Sequence, residues 1–174
     1  MILEVKTFPD NILRQKAEPV EKIDDEIIKL LDDMVETMYD QRGVGLAAPQ
    51  VGISKRIIVV DTSAGEEECQ LMRLINPEII EGEGEQIAEE GCLSVPGEYE
   101  KVRRYEKVVL KAMNEQGEEF TLPAEGFLAR AFQHEIDHLE GILFIDKLPS
   151  FKRDSVKKSI KRRINAGDYV VTGK

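Results

Sequence analysis

Gln133-His134-Glu135-Ile136-Asp137-His138 is the stretch on which the reading of this chain turns. The run has helical character, and side chains four apart on an α-helix leave the same face about one turn apart. His134 and His138 therefore have the spacing at which two imidazoles grip one divalent metal. Glu135 lies beside them as a candidate base for a bound water. The chain has no other histidine, and two histidines placed at random fall four apart only roughly 1% of the time. The plainer alternative is a pair of core histidines satisfied by hydrogen bonds.

Working outward, the helix starts after Pro123 and ends at Gly141. Phe127, Ala131, His134 and His138 share one face, and Leu128, Phe132, Ile136 and Leu139 make a second apolar strip. Arg130, Gln133, Asp137 and Glu140 line the remaining polar stripe. A helix this apolar is a buried one with strands packed around it.

A catalytic metal of this kind takes three protein ligands and keeps one position open. A third histidine six residues after the second is ruled out, because position 144 is Phe144. No glutamate follows Glu140, and the downstream acids are Asp146, Asp154 and Asp168, the last two in or beyond a basic segment. Cysteine remains. Cys92, in Glu89-Glu90-Gly91-Cys92-Leu93-Ser94-Val95-Pro96, sits among small and turn-forming residues and is preferred to Cys69. Cys69 adjoins Glu66-Glu67-Glu68 and reads as an exposed thiol. A lone cysteine is more commonly a small buried hydrophobe. One thiolate and two neutral imidazoles suit Zn²⁺, Fe²⁺, Co²⁺ or Ni²⁺, and ligand type alone does not choose among them.

Toward the N-terminus, Ile27, Leu31, Met34 and Met38 recur at helical spacing, predicting an amphipathic helix from about 24 to 40, stopped by Gly43. Gly43-Val44-Gly45-Leu46-Ala47-Ala48-Pro49-Gln50 matches a dinucleotide fingerprint on paper. That motif needs a strand before it and a helix after it. A helix precedes it here and Pro49 would break one that followed, so the glycines serve instead to let the backbone approach something closely. Strands are expected at Arg56–Val60 and Leu71–Ile80, with a hairpin from Val108–Met113 and Glu119–Leu122. Ile142–Ile145 reads as a last short strand. Ser150 is placed to cap a basic helix over about 150–164, and residues 166–174 are expected to fray. The whole of 1–174 reads as one domain of α+β class. Antiparallel or mixed sheets surround the central helix, with an amphipathic helix before them and a basic helix after.

The net charge of −10 conceals an asymmetry. Lys147 to Arg163 holds eight basic residues against Asp154 alone, leaving 16 basic against 33 acidic elsewhere. An acidic body opposes general nucleic-acid binding, while the basic segment suits docking on one anionic surface or a solvated helix face. No apolar run has the length of a membrane span, and the first residues lack the sections of a signal peptide. A cytoplasmic location is expected, and with it no structural disulfide between the two cysteines.

Together, Gly43-Val44-Gly45-Leu46-Ala47-Ala48-Pro49-Gln50, Glu90-Gly91-Cys92-Leu93-Ser94 and Gln133-His134-Glu135-Ile136-Asp137-His138 resemble the peptide deformylase family in order and spacing. Length and basic tail are similar to the bacterial form with a C-terminal helix. The resemblance implies hydrolysis of the N-formyl group from the formyl-methionine of new polypeptides, with release of formate. It implies that Cys92, His134 and His138 hold the metal, Fe²⁺ in the cell by family habit, and that Glu135 serves a metal-bound water as general base and then acid. It also implies that the Gln50 amide and the Leu93 backbone N–H steady the oxyanion. Backbone groups of Val44, Gly45 and Gly91 would pair with the substrate as an added strand. A methionine pocket of Val44, Phe127, Ala131 and His134 follows, the middle two from helix facing. The basic helix would dock on the ribosome, with no membrane partner and no sequence-specific nucleic-acid binding. Some relatives carry a substrate-binding arginine where this chain reads Gly97-Glu98-Tyr99-Glu100, so no residue is assigned there. Two rival readings are a general zinc metallopeptidase and a non-catalytic domain with a structural ion.

Overall fold

The computed structural model describes residues 1–66 and 70–173, so the exposed thiol expected at Cys69 lies outside the described residues. In chain order the elements are α1 (Asp25–Asp40), β1 (Gly45–Ala47), β2 (Ile57–Val60) and β3 (Met72–Glu83). Then come β4 (Gln86–Cys92), β5 (Val95–Arg104), β6 (Lys107–Met113), β7 (Glu119–Glu125), α2 (Gly126–Leu139) and α3 (Ser150–Asn165). β1, β2, β3, β6 and β7 form an antiparallel sheet in that spatial order, and β4 pairs with β5 as a separate antiparallel hairpin.

β2 explains the layering. All four residues of Ile57-Ile58-Val59-Val60 are buried, although strand side chains alternate between faces. Ile57 and Val59 join Ile27, Leu31, Met34 and Met38 of α1 in one core, whereas Ile58 and Val60 join Ala129, Phe132 and Leu139 of α2 in another. The sheet is thus a middle layer with a helix on each face. Burial of one of these large side chains is worth about 1.5–3 kcal/mol. α1 begins on Asp24, whose carboxylate accepts from the Ile27 N–H at 3.1 Å, and Asp25 and Glu26 favour the positive end of the helix dipole.

A third core joins Val95 and Val102 of β5 to Leu143, Phe144 and Ile145, to Val156 and Ile160 of α3, and to Leu13 near the N-terminus. It anchors the β4–β5 hairpin against the far side of the molecule from α1. α2 therefore lies between two sheets, which is what brings the hairpin over its polar side.

Several expected boundaries change. β7 runs through Pro123 rather than stopping before it. Its pairing lies on one side only, with β6, so an edge strand tolerates a residue with no N–H to donate. The hairpin β4–β5 was not expected at all, because Glu89 and Glu90 mask a strand pattern. Ile142–Ile145 is not a strand: the segment enters a 3-10 turn at Phe144–Lys147, with the Leu143 N–H held by Asp146 at 2.8 Å. Ser150 does not cap α3, since Pro149 takes the cap position and its carbonyl accepts from Lys152 and Arg153. The tail beyond α3, expected to fray, folds back on the N-terminal segment. Tyr169 is buried and donates to the Phe8 carbonyl at 2.7 Å, and the Thr172 hydroxyl donates to Asp10 at 2.9 Å.

Candidate metal centre and substrate cleft

α2 carries His134 and His138 with ring centroids 5.1 Å apart and the rings nearly edge to face. Cys92 comes to them at the end of β4, where the chain reverses through Leu93 and Ser94 into β5. Its Sγ is 3.4 Å from His138 Nε2. The ligand atoms of Cys92, His134 and His138 all lie within 4.8 Å of one another. Two buried polar atoms beside them, Glu135 Oε1 and His138 Nδ1, have no hydrogen-bond partner among the described residues. A buried group without a partner is costly, and a soft thiolate with two imidazoles is a donor set for a late divalent ion. The residues fit such an ion.

His134 is oriented from behind. Its Nδ1 lies 2.8 Å from Glu90 Oε1, so with a carboxylate acceptor there the ring carries its proton on Nδ1 and turns Nε2 toward the cluster. Glu90 in turn accepts two bonds from Arg104, at 2.7 and 2.9 Å, and another from Arg130. Burial alone would raise this carboxyl. The bonds from His134 and Arg104 overcome it and hold Glu90 well below the ordinary glutamate range. Arg104 also reaches Asp137 at 2.7 Å, and Gln133 exchanges bonds with the Tyr105 backbone. The polar stripe of α2 is therefore mostly covered by the hairpin, with Arg130 and Gln133 buried. A stripe of polar residues on a helix reads as solvated until a partner sheet of matching charge is placed over it.

Glu135 faces the other way. It is 4% exposed, and burial pushes its carboxyl up to about 7. A Cβ built on Gly45 would stand 2.6 Å from its Oε2, so the close approach expected of these glycines is to this carboxylate. Gln50 is buried on the 3-10 turn after β1. Its Oε1 accepts from the Ala47 N–H at 2.9 Å, while its NH₂ donates to Ser94 Oγ at 3.1 Å and lies 3.6 Å from Cys92 Sγ.

These groups open on one cleft of about 520 Å³. Val44, Gly45, Gln50, Gly91, Cys92, Leu93, Phe127, Ala131, His134 and Glu135 all line it, and His138 lies behind them, 1% exposed. Of the pocket residues, Phe127 is 56% exposed at the cleft's edge while Ala131 is buried. Sequence reasoning did not single out Glu90, although it stands two residues before Cys92, nor Arg104, Arg130 or Tyr99. An acid two residues before a metal-binding cysteine on a strand shares its face, which was the available signal.

A cysteine and two histidines gathered beside a buried glutamate, at the floor of an open cleft, make the candidate site of a metal-dependent hydrolase. Residues 2–154 match the family model described as polypeptide deformylase. The peptide deformylase of Thermodesulfovibrio yellowstonii is 52% identical over 162 residues, covering 93% of this chain and 98% of that protein. That of Halothermothrix orenii is 61% identical over 147 residues, covering 84% and 94%. Among solved structures, a peptide deformylase from Legionella pneumophila superposes with a TM-score of 0.88 at 45% identity, covering 95% of this chain and 98% of the other. One from Ehrlichia chaffeensis, in complex with actinonin, does so at 0.85 and 40%, covering 93% and 97%. The chain belongs to the polypeptide deformylase family. Its activity is metal-dependent hydrolysis of the formyl group from the N-terminal formyl-methionine of newly synthesised polypeptides, and the general-peptidase and structural-ion readings are set aside. No helix among the described residues is long and apolar enough to cross a membrane.

Proposed function

We propose the following division of labour for the deformylation reaction. Cys92, His134 and His138 hold one divalent ion, Fe²⁺ in the cell with Zn²⁺, Ni²⁺ or Co²⁺ able to replace it. When bound, that ion would supply a Lewis acid that makes water a better nucleophile near neutral pH. Glu135 takes a proton from the water that adds to the formyl carbon. It then gives the proton to the amine nitrogen as the C–N bond breaks, leaving formate and a free N-terminus. The observation that carries this reading is the buried Glu135 carboxyl, whose Oε1 has no hydrogen-bond partner among the described residues and lies 3.9 Å from His138 Nε2, next to the three ligand residues.

The Gln50 NH₂ and the Leu93 backbone N–H donate to the oxygen on which charge develops. Gln50 is preset for this, because its carbonyl end is anchored on Ala47. Val44, Gly45 and Gly91 offer backbone groups to the substrate as an added strand, a mode indifferent to sequence that suits many nascent chains. The methionine side chain enters between Val44, Phe127, Ala131 and His134. The whole chain acts as one catalytic domain in the cytoplasm. Lys157, Lys158, Lys161 and Arg162, all exposed on α3, dock it on the anionic ribosome surface.

The test is formate release from a formyl-Met tripeptide by protein purified without oxygen, with its metal quantified. Turnover lost in Glu135→Gln with one metal still bound supports the assignment of the base; retained turnover overturns it. Neutralising the four α3 cations should abolish salt-sensitive co-sedimentation with ribosomes and leave turnover of free peptides unchanged.

A further inference from the structure

The two oxyanion donors assigned above come from separate parts of the fold. Gln50 lies on the 3-10 turn after β1, a strand of the five-stranded sheet, and Leu93 lies in the reversal between β4 and β5. The two sheets share no strand pairing among the described residues, so no ladder sets the distance between these turns. That distance matters, because such donors must aim at one point and a shift of about 1 Å at a reacting group costs roughly 10² in rate.

Residues 6–8 span the gap. The Lys6 N–H donates to the Gln50 carbonyl at 2.7 Å, and the Phe8 N–H donates to the Ser94 carbonyl at 2.8 Å. Residues two apart on an extended segment present their N–H groups to one side, and the residue between them faces the other. Thr7 accordingly turns to the tail beyond α3. Its N–H donates to the Thr172 hydroxyl oxygen at 2.9 Å, and its own hydroxyl donates to the Val170 carbonyl. Thr172 donates onward to Asp10 at 2.9 Å, and Thr7 is buried. The segment is thus a strap, gripped on one side by both catalytic turns and on the other by the tail. The turns also meet directly, Gln50 donating to Ser94 Oγ at 3.1 Å, but that bond draws on the amide that faces the substrate. The strap holds both turns by their backbones.

We infer that Thr7 is a positioning residue for deformylation: clamped by the tail, it holds the strap that fixes the spacing of the Gln50 and Leu93 donors. This rests on the oxyanion reading above.

The test measures kcat and KM on a formyl-Met tripeptide with metal-quantified Thr7→Val, Thr7→Ser, Thr172→Val, Gln50→Ala and the Thr7→Val, Gln50→Ala double variant. Thr7→Val keeps the side-chain shape and loses the bond to Val170. It should lower kcat about 10-fold, less than the loss from removing a donor outright, with KM and metal content unchanged. Thr7→Ser keeps the hydroxyl and should match the parent. Thr172→Val, on the half-buried tail, should show the same loss and carries the test where Thr7→Val does not fold. In the Gln50→Ala background the Thr7→Val loss should largely vanish, because the donor that the strap aims is gone. Parent kcat in Thr7→Val and Thr172→Val, or an undiminished loss in the Gln50→Ala background, overturns the inference while deformylation stands. Parent kcat in Gln50→Ala itself overturns the oxyanion reading and this inference with it.

Discussion

The Cα of Gly45 and the carboxylate of Glu135 are so close that no side chain fits between them: a Cβ at position 45 would be 2.6 Å from Oε2 and 2.9 Å from Cγ. Gly45 opens β1 and Glu135 sits in the middle of α2, 90 residues later, so packing of that strand on that helix sets the position of the buried acid. Gly45→Ala must displace Glu135, and a shift of about 1 Å at a reacting group costs roughly 10² in rate. Formate-release kinetics should show that loss in kcat/KM with metal content intact. Activity within twofold of the parent would mean that Glu135 tolerates movement.

Glu90 joins two arginines and one metal-facing histidine, and removing its charge strands them. Glu90→Gln should weaken metal retention by about 10- to 100-fold, the usual cost of losing the group that orients a ligating histidine. Chelator competition measures this directly. Glu90→Ala, which leaves Arg104 and Arg130 buried without their partner, should also lower stability by about 3–5 kcal/mol in urea denaturation.

Gln50 is separable from the metal. Gln50→Ala removes the donor facing the cleft and should lower kcat by about 10²–10³ with little change in KM. A variant that loses its metal instead would assign Gln50 to holding Cys92 through the 3.6 Å contact.

Asp61 supplies a pH dependence remote from the metal. Burial raises its carboxyl, but bonds from the Ser63 hydroxyl and backbone, the Tyr39 hydroxyl and the Gly65 N–H outweigh it and leave it below the ordinary 3.8. Its folded pKa is thus below its unfolded one. The stabilisation is fully present above about pH 4 and is lost as pH falls through the folded value. Urea midpoints measured from pH 6 to pH 3 should fall in the parent and fall less in Asp61→Asn. That variant starts about 1–3 kcal/mol lower at neutral pH. Parallel curves would place the acid sensitivity elsewhere.

Local periodicity made much of the site legible. The four-residue spacing of the only two histidines is a property of one helix, and eliminating other donors left Cys92 without reference to any distant contact. The face shared by Phe127, Ala131 and His134 likewise follows from the helix turn. Patterns that depend on a partner are not legible in this way. Arg130 and Gln133 read as an ordinary polar stripe, because nothing in a helix period says that a charged hairpin will cover it. The same hairpin gives no strand signal in the sequence, because Glu89 and Glu90 suppress it. Pro123 reads as a boundary in the sequence because edge position, which excuses a proline, is a property of the sheet.

What the sequence by itself determined is the candidate donor set: two imidazoles one turn apart, a glutamate between them in the chain and one thiol that the fold brings to them. These follow from side-chain identity and helix geometry over a few residues. What only the tertiary structure decided is which groups stand behind and beside that set. Glu90 under His134, Gly45 against Glu135, Tyr99 over Gly91 and the tail folded onto Thr7–Asp10 each join segments far apart in the chain. Such pairs form when separate cores pack, and whether a polar group is solvated or buried against a partner is decided only at that step.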